Sequence, residues 1–141
     1  DKTVVPLEIS AIADTSQSSG QELMTITDAA EDTTAPTVTS SDPADASVDH
    51  PIADSVVWTM SEELDAGSVT DDNVYLIKAS DGTVVAGAVT YTASTKLITY
   101  NPTASLDNST AYIAILTTSI RDLAYNTLAA PSVINFTTVA P

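Results

Sequence analysis

Short runs of alternating apolar and polar residues, bounded by turn residues, dominate the chain. In residues 55–60, Val56, Trp58 and Met60 fall on one face. A period of two is typical of a half-buried β-strand. Residues 110–117 carry apolar side chains on both faces, which predicts a central strand covered on each side. No segment shows the clear 3.6-residue period of an amphipathic helix.

Seven such runs follow residue 31, in the ranges 37–41, 55–60, 74–79, 84–92, 96–100, 110–117 and 133–139. Strands of this length and spacing predict an all-β fold, a two-sheet Greek-key β-sandwich of about seven strands. Gly87 lies inside the fourth run and predicts a β-bulge. The longest irregular links are residues 62–69 and 120–128, and residues 62–64 are expected to form one helical turn.

Residues 1–31 form an N-terminal extension that precedes a domain at 32–141. The strand-like part is residues 4–12, and the side chains expected to carry assembly there are Val4, Val5, Leu7, Ile9 and Ile12. Residues 15–20 have linker composition, and residues 22–27 predict a second short strand. The extension either folds back on its own domain or adds to a sheet edge of a neighbouring copy. A third interpretation is a linker and terminal strand from a multidomain surface protein.

The chain is strongly acidic, with 19 acidic residues, four basic ones and a net charge of −15. Such a surface excludes nucleic acid as a partner, because no cationic patch is available to displace counterions from phosphates. The charge serves either to solvate an exported protein or to collect divalent cations. Without cysteine, the chain has neither disulfides nor thiolate metal sites. No apolar run reaches the ~18 residues of a membrane span, so the mature chain is not expected to insert in a membrane.

Acidic side chains cluster on the two long links. Glu62, Glu63 and Asp65 lie close in sequence, but no pocket is indicated that would shift one pKa for acid–base catalysis, and we expect no enzyme activity. Calcium is a more plausible ligand, because it binds several carboxylate and amide oxygens. The candidate ligands are Glu62, Asp65, Asp122 and Asn126, with turn formation and capping as the competing role for these side chains. No other cofactor is expected.

The remaining polar and aromatic candidates have ordinary structural interpretations. His50 is the only histidine, and its place before Pro51 predicts a solvated loop side chain. Trp58 is expected in the centre of the core, since a sugar-stacking role would require it to be exposed. Asn108 and Asn135 begin Asn-x-Thr patterns that could accept N-linked glycans. Asn108 lies in a predicted loop and is the better acceptor.

Four sequence marks occur in order between residues 32 and 139: Asp-Thr-Thr-Ala-Pro-Thr-Val at 32–38, Met-Ser-Glu-Glu-Leu-Asp at 60–65, Asp-Leu-Ala-Tyr-Asn at 122–126, and Phe-Thr-Thr at 136–138. Together they resemble the bacterial Ig-like domain of S-layer proteins and surface adhesins. The resemblance implies an Ig-like sandwich with a structural role at the cell surface. Met60 replaces the usual Phe and Tyr125 the usual Gly. Because tyrosine at positive φ is strained, we expect an altered turn there.

These observations lead to one expected function and one alternative. We expect a non-catalytic subunit of an extracellular filament or surface assembly, a homo-polymer joined by N-terminal strand donation to the neighbouring copy. The alternative is a spacer or adhesive repeat of a larger surface or S-layer protein, binding calcium or carbohydrate. The sequence leaves open whether the extension docks in cis or in trans.

Overall fold

The computed structural model describes residues 31–141, together with the backbone of two strands before them, β1 (Glu8–Ala11) and β2 (Met24–Thr27). The chain divides into two compact units, Asp1–Asp32 and Thr33–Pro141. In the first unit, β1 and β2 form a two-stranded antiparallel sheet that pairs Glu8 with Thr27 and Ala11 with Met24. Of the side chains expected to carry assembly, Ile9 lies in β1, whereas Val4, Val5, Leu7 and Ile12 lie outside the described residues.

The second unit contains eight strands in two four-stranded sheets: β3 (Val38–Asp42), β4 (Ser47–His50), β5 (Val56–Met60), β6 (Val74–Lys78), β7 (Gly87–Thr92), β8 (Leu97–Pro102), β9 (Ala111–Leu116) and β10 (Ser132–Thr138). The strand orders are β3-β5-β8-β7 and β4-β10-β9-β6. Only the β4–β10 pair is parallel. The predicted all-β sandwich is therefore confirmed.

The core lies between these two sheets and is built from the alternating positions seen in the sequence. Val56, Trp58 and Met60 point inward from β5, while β9 contributes Tyr112, Ala114 and Leu116. Because strand side chains alternate between faces, each strand supplies every second residue to the core. The prediction that β9 is central is confirmed, since it pairs with β10 on one side and β6 on the other. The expectation that both its faces are covered is wrong, because Ile113 and Ile115 on the outer face are only half-buried.

Two local predictions fail, each for a tertiary reason. The sequence predicts a polar loop at residues 47–50, but these residues form β4. They do so because they pair in parallel with the side of β10 that β9 does not occupy. Gly87 is not a bulge: β7 pairs with β8 in an unbroken register from Gly87–Pro102 to Thr92–Leu97. A Cβ added to Gly87 would lie 2.5 Å from Cε1 and Cζ of Tyr100, so glycine is needed there to accommodate the aromatic ring.

The second unit contains two short 3-10 turns, Ala66–Ser68 in the first long link and Ala93–Thr95 between β7 and β8. The first lies slightly later than the helical turn expected at residues 62–64. Asp65 caps it by accepting a hydrogen bond from the Gly67 amide. No helix among residues 31–141 is long and apolar enough to cross a membrane.

Candidate functional site

The two long irregular links meet at one end of the sandwich. Leu64 and Asp122 form an isolated antiparallel bridge, and the Asp65 amide donates to the Arg121 carbonyl at 2.9 Å. Leu128 closes the second link by donating its amide to the Ile120 carbonyl. Backbone pairing between segments more than fifty residues apart thus gathers the acidic side chains predicted as ligands. The name "linked loops" is used below for residues 62–69 and 120–128.

Asp65 is held by the only arginine of the chain. Its Oδ2 accepts hydrogen bonds from Nε and Nη2 of Arg121 at 2.9 and 2.7 Å. Its Oδ1 accepts from the Gly67 amide at 2.9 Å. These hydrogen bonds, that of Arg121 first, lower the pKa of Asp65 because they favour the ionised carboxylate. Asp65 therefore ties the two linked loops together.

Asp122 is nearly fully buried, with 1% of its surface exposed. Its Oδ1 accepts from the Asn126 amide and its Oδ2 from Asn126 Nδ2, both at 2.8 Å. The Asp122 amide in turn donates to the Asn126 carbonyl at 3.0 Å. A carboxylate is rarely buried without such partners, and here it organises the turn at residues 122–126.

The four candidate calcium ligands do not all converge. One carboxylate oxygen of Glu62 lies within 4.8 Å of one of Asp122. Asn126 is bonded to Asp122, whereas Asp65 is engaged with Arg121. Asp122 thus lies near both Glu62 and Asn126, whereas Asp65 has Arg121 as its structural partner.

A groove of about 390 Å³ that the sequence does not signal lies beside β6. Val84, Val85 and Leu106 contribute apolar walls, and Lys78 pairs with Asp107 at 2.5 Å in its lining. The Asp107 carboxylate raises the pKa of Lys78 through this hydrogen bond. Since the ion pair forms only when the turn after β8 reaches β6, sequence spacing alone could not indicate the groove.

His50 is placed differently from the prediction. Its side chain is 5% exposed and packs edge-on against the Phe136 ring, with centroids 4.9 Å apart. Its Nε2 is buried without a hydrogen-bond partner in the described part of the chain. The predicted solvated loop is wrong because residues 47–50 pair with β10 and turn the imidazole into the core.

The two candidate glycosylation sites differ in their surroundings. Asn108 is exposed in the turn before β9. Asn135 is also exposed, but it lies within β10, and its amide and Nδ2 both donate to Asp45 Oδ1, at 2.8 and 3.2 Å. Asn108 therefore lies in a loop, as expected, while glycosylation at either residue stays a prediction.

Comparison with known proteins identifies the domain. A sequence model of the bacterial Ig-like domain matches residues 32–138. The chain belongs to this family. Among curated proteins, none is similar enough to match. The family match begins and ends within a residue or so of the resemblance noted in the sequence, so that resemblance is confirmed.

Solved structures share the family's fold. The bacterial S-layer protein SbsC, domains 1–6, superimposes with a TM-score of 0.57 at 18% identity, covering 77% of this chain and 14% of SbsC. The methionine-rich copper resistance protein PcoC from Escherichia coli superimposes with a TM-score of 0.60 at 21% identity, covering 74% of this chain and 99% of PcoC. CopC from Methylosinus trichosporium OB3b superimposes with a TM-score of 0.57 at 11% identity, covering 74% of this chain and 94% of CopC. At these identities the likeness shows the fold alone.

In this member of the Ig-like family, the tyrosine in the 122–126 mark adopts the backbone conformation expected of glycine. Tyr125 has a φ of 69°, so the expectation that the turn avoids positive φ is wrong. The left-handed region costs a non-glycine residue about 1–2 kcal/mol. The guanidinium of Arg121 lies 4.7 Å from the centre of the Tyr125 ring, a cation–π contact that offsets part of this cost.

Proposed function

We propose that this Ig-like domain is a non-catalytic structural subunit of an extracellular or cell-surface assembly, joined by its N-terminal strands to a neighbouring copy. The observation that carries the proposal is the two-stranded sheet β1–β2. These two strands pair with each other and with no other described strand. An isolated two-stranded sheet is at best marginally stable in water. Docking on a sheet edge satisfies its unpaired backbone groups and those of the edge.

The side chains that could support catalysis have structural partners. Asp65 is bonded to Arg121 and Asp122 to Asn126, and His50 packs on Phe136. The Trp58 side chain is 0% exposed, so it offers no surface for stacking on a sugar. PcoC is described as methionine-rich, whereas this chain has two methionines, of which Met60 is in the core. These placements support a structural module over a catalyst or a copper carrier.

Deleting residues 1–20 is expected to leave a folded monomer that no longer assembles. The second unit has its own buried core, so it should melt cooperatively without β1. The assembly state is measured by sedimentation velocity and electron microscopy over a range of protein and salt concentrations. Salt matters because a net charge of −15 opposes self-association at low ionic strength.

The same experiment separates the proposal from its alternative, a spacer or adhesive repeat of a larger surface protein. That alternative draws support from SbsC, of which the chain matches only 14%. A spacer repeat would stay monomeric with or without residues 1–20. Polymer growth by the deleted chain would instead reject strand donation.

Calcium binding at the linked loops is a second candidate function, favoured by the approach of Glu62 to the buried Asp122. Two close carboxylates suit calcium, which takes six to eight oxygen ligands including water. Bound calcium would stabilise the folded domain by an amount that grows with the logarithm of the calcium concentration above Kd, without any catalytic step.

If calcium binds there, saturating calcium is expected to raise the melting temperature. At a concentration 100-fold above Kd the gain is about 2.7 kcal/mol, or roughly ten degrees for a domain of this size. Glu62→Gln should remove most of the shift, and Glu63→Gln, a neighbouring exposed acid, should retain it. Equal melting temperatures in calcium and in chelator would reject calcium binding at the linked loops.

A further inference from the structure

The edge of β7 is the most open strand edge of the sandwich. The Thr103 amide donates to the Ala86 carbonyl at 2.9 Å, which makes 86–103 a hydrogen-bonded pair. Hydrogen-bonded and non-bonded pairs alternate along an antiparallel ladder, so Gly87, Val89 and Tyr91 direct their amides and carbonyls away from β8. No strand among those described covers that outer side.

The other three edges are blocked or irregular. On β6, Lys78 donates its amide to Thr83 and Leu76 accepts from Val85, so residues 83–85 occupy its outer side. The ladder of β3 shifts register between Val38 and Ser40. The edge strand β4 is short and has Asp49 at positive φ. Only β7 offers six residues in unbroken register, without proline or charge.

Charge also distinguishes this edge. From Gly82 to Leu106 the sequence contains no acidic residue and one basic residue, Lys96, although the chain has 19 acids. Residues 1–31 carry six acidic residues against one basic residue. An acidic extension is repelled least by the acid-free hairpin β7–β8, since like charges elsewhere on the domain oppose its approach.

We propose that β7 is the acceptor edge, and that β1 of a second copy pairs with it, extending the β3-β5-β8-β7 sheet with the β1–β2 hairpin. This inference rests on the proposed function and names the surface that receives the donated strand. Natural edge strands carry charges or prolines that prevent such pairing, and β7 has neither.

The direct test is cross-linking, which is simple because the chain has no cysteine. One protein carries Ser10→Cys in β1, and a second carries Thr90→Cys in β7. Mixed and oxidised, they should give a disulfide-linked dimer on a non-reducing gel. Ser10→Cys mixed with Ser40→Cys, an exposed position on the opposite edge strand β3, should give far less.

A charge placed on β7 tests the same contact without a cross-link. Thr90→Asp should raise the protein concentration needed for assembly by about tenfold or more, whereas Ser40→Asp, the same change on β3, should leave it near wild type. Thermal melts verify that both variants fold. Loss of assembly in Ile115→Asp, on the outer face of the other sheet, together with normal assembly of Thr90→Asp, would overturn the inference.

The outcomes separate the inference from the function on which it rests. If the wild type never assembles, both fail. If assembly depends on residues 1–20 but Thr90→Cys does not cross-link to Ser10→Cys, only the choice of β7 fails. A monomeric disulfide in the chain that carries both cysteines, with none between chains, would show docking in cis and reject a second copy as the occupant.

Discussion

Replacing Trp58 by alanine is expected to lower the free energy of unfolding by about 3–5 kcal/mol. Trp58 is fully buried in the centre of β5, opposite Ser41 on β3 and Ile98 on β8. Its loss leaves a large cavity between the two sheets, and the surrounding strands cannot collapse into it because their backbones are fixed by the ladders. Chemical denaturation, with the midpoint and slope fitted separately, measures the change.

Trp58→Phe is the matched control for this experiment. The indole N–H is buried without a partner within the described residues, so phenylalanine removes an unsatisfied donor as well as volume. We therefore expect a loss of only about 1–2 kcal/mol. Leu123→Ala, at a side chain that is 63% exposed, should change stability little. Similar losses for Trp58→Ala and Leu123→Ala would contradict the assignment of Trp58 to the core.

Asp122→Ala has the second largest expected effect, a loss of about 2–3 kcal/mol. The buried carboxylate accepts hydrogen bonds from the backbone amide and the side chain of Asn126, and alanine leaves both donors without this acceptor. The turn at residues 122–126 should loosen, and with it the bridge to Leu64. Denaturant unfolding gives the stability, and amide hydrogen exchange at Asn126 reports the local opening.

Two variants show whether this loss comes from the hydrogen bonds. Asp122→Asn retains the shape and one acceptor oxygen, so it should lose less than Asp122→Ala. Asp54→Ala removes an exposed acid and should stay within about 0.5 kcal/mol of wild type. An Asp122→Ala protein as stable as Asp54→Ala would show that the buried carboxylate does not organise the linked loops.

The strands that contribute most to the core could be predicted from local pattern. Val56, Trp58 and Met60 share one face of β5, because burial on one face of a strand imposes a period of two on the sequence. The residues of β9 are apolar on both faces, which indicated a central strand. Strand length and spacing predicted the sandwich, and the family marks indicated that it is of the Ig-like type. The strand β4 was missed because its residues have no such period: only Ser47 and His50 turn inward.

The candidate site was predictable in its composition but not in its geometry. Acidic residues on two long irregular links indicated where oxygen ligands would gather. The sequence did not indicate that Arg121 would bond to Asp65, nor that Glu62 would lie close to Asp122. Those pairings depend on which carbonyls and amides of the two linked loops bond across the end of the sandwich.

The amino-acid sequence determined the all-β class, the identity of the core faces and the acidic, cysteine-free surface, because each of these follows from local pattern or from composition. Only the tertiary structure decided which strand edges are closed, that His50 is buried, and that Tyr125 accepts a left-handed backbone. These features depend on contacts between segments far apart in the chain. The open side of β7 belongs to this second group, since the order of all the strands in a sheet decides which of them lie at its edges.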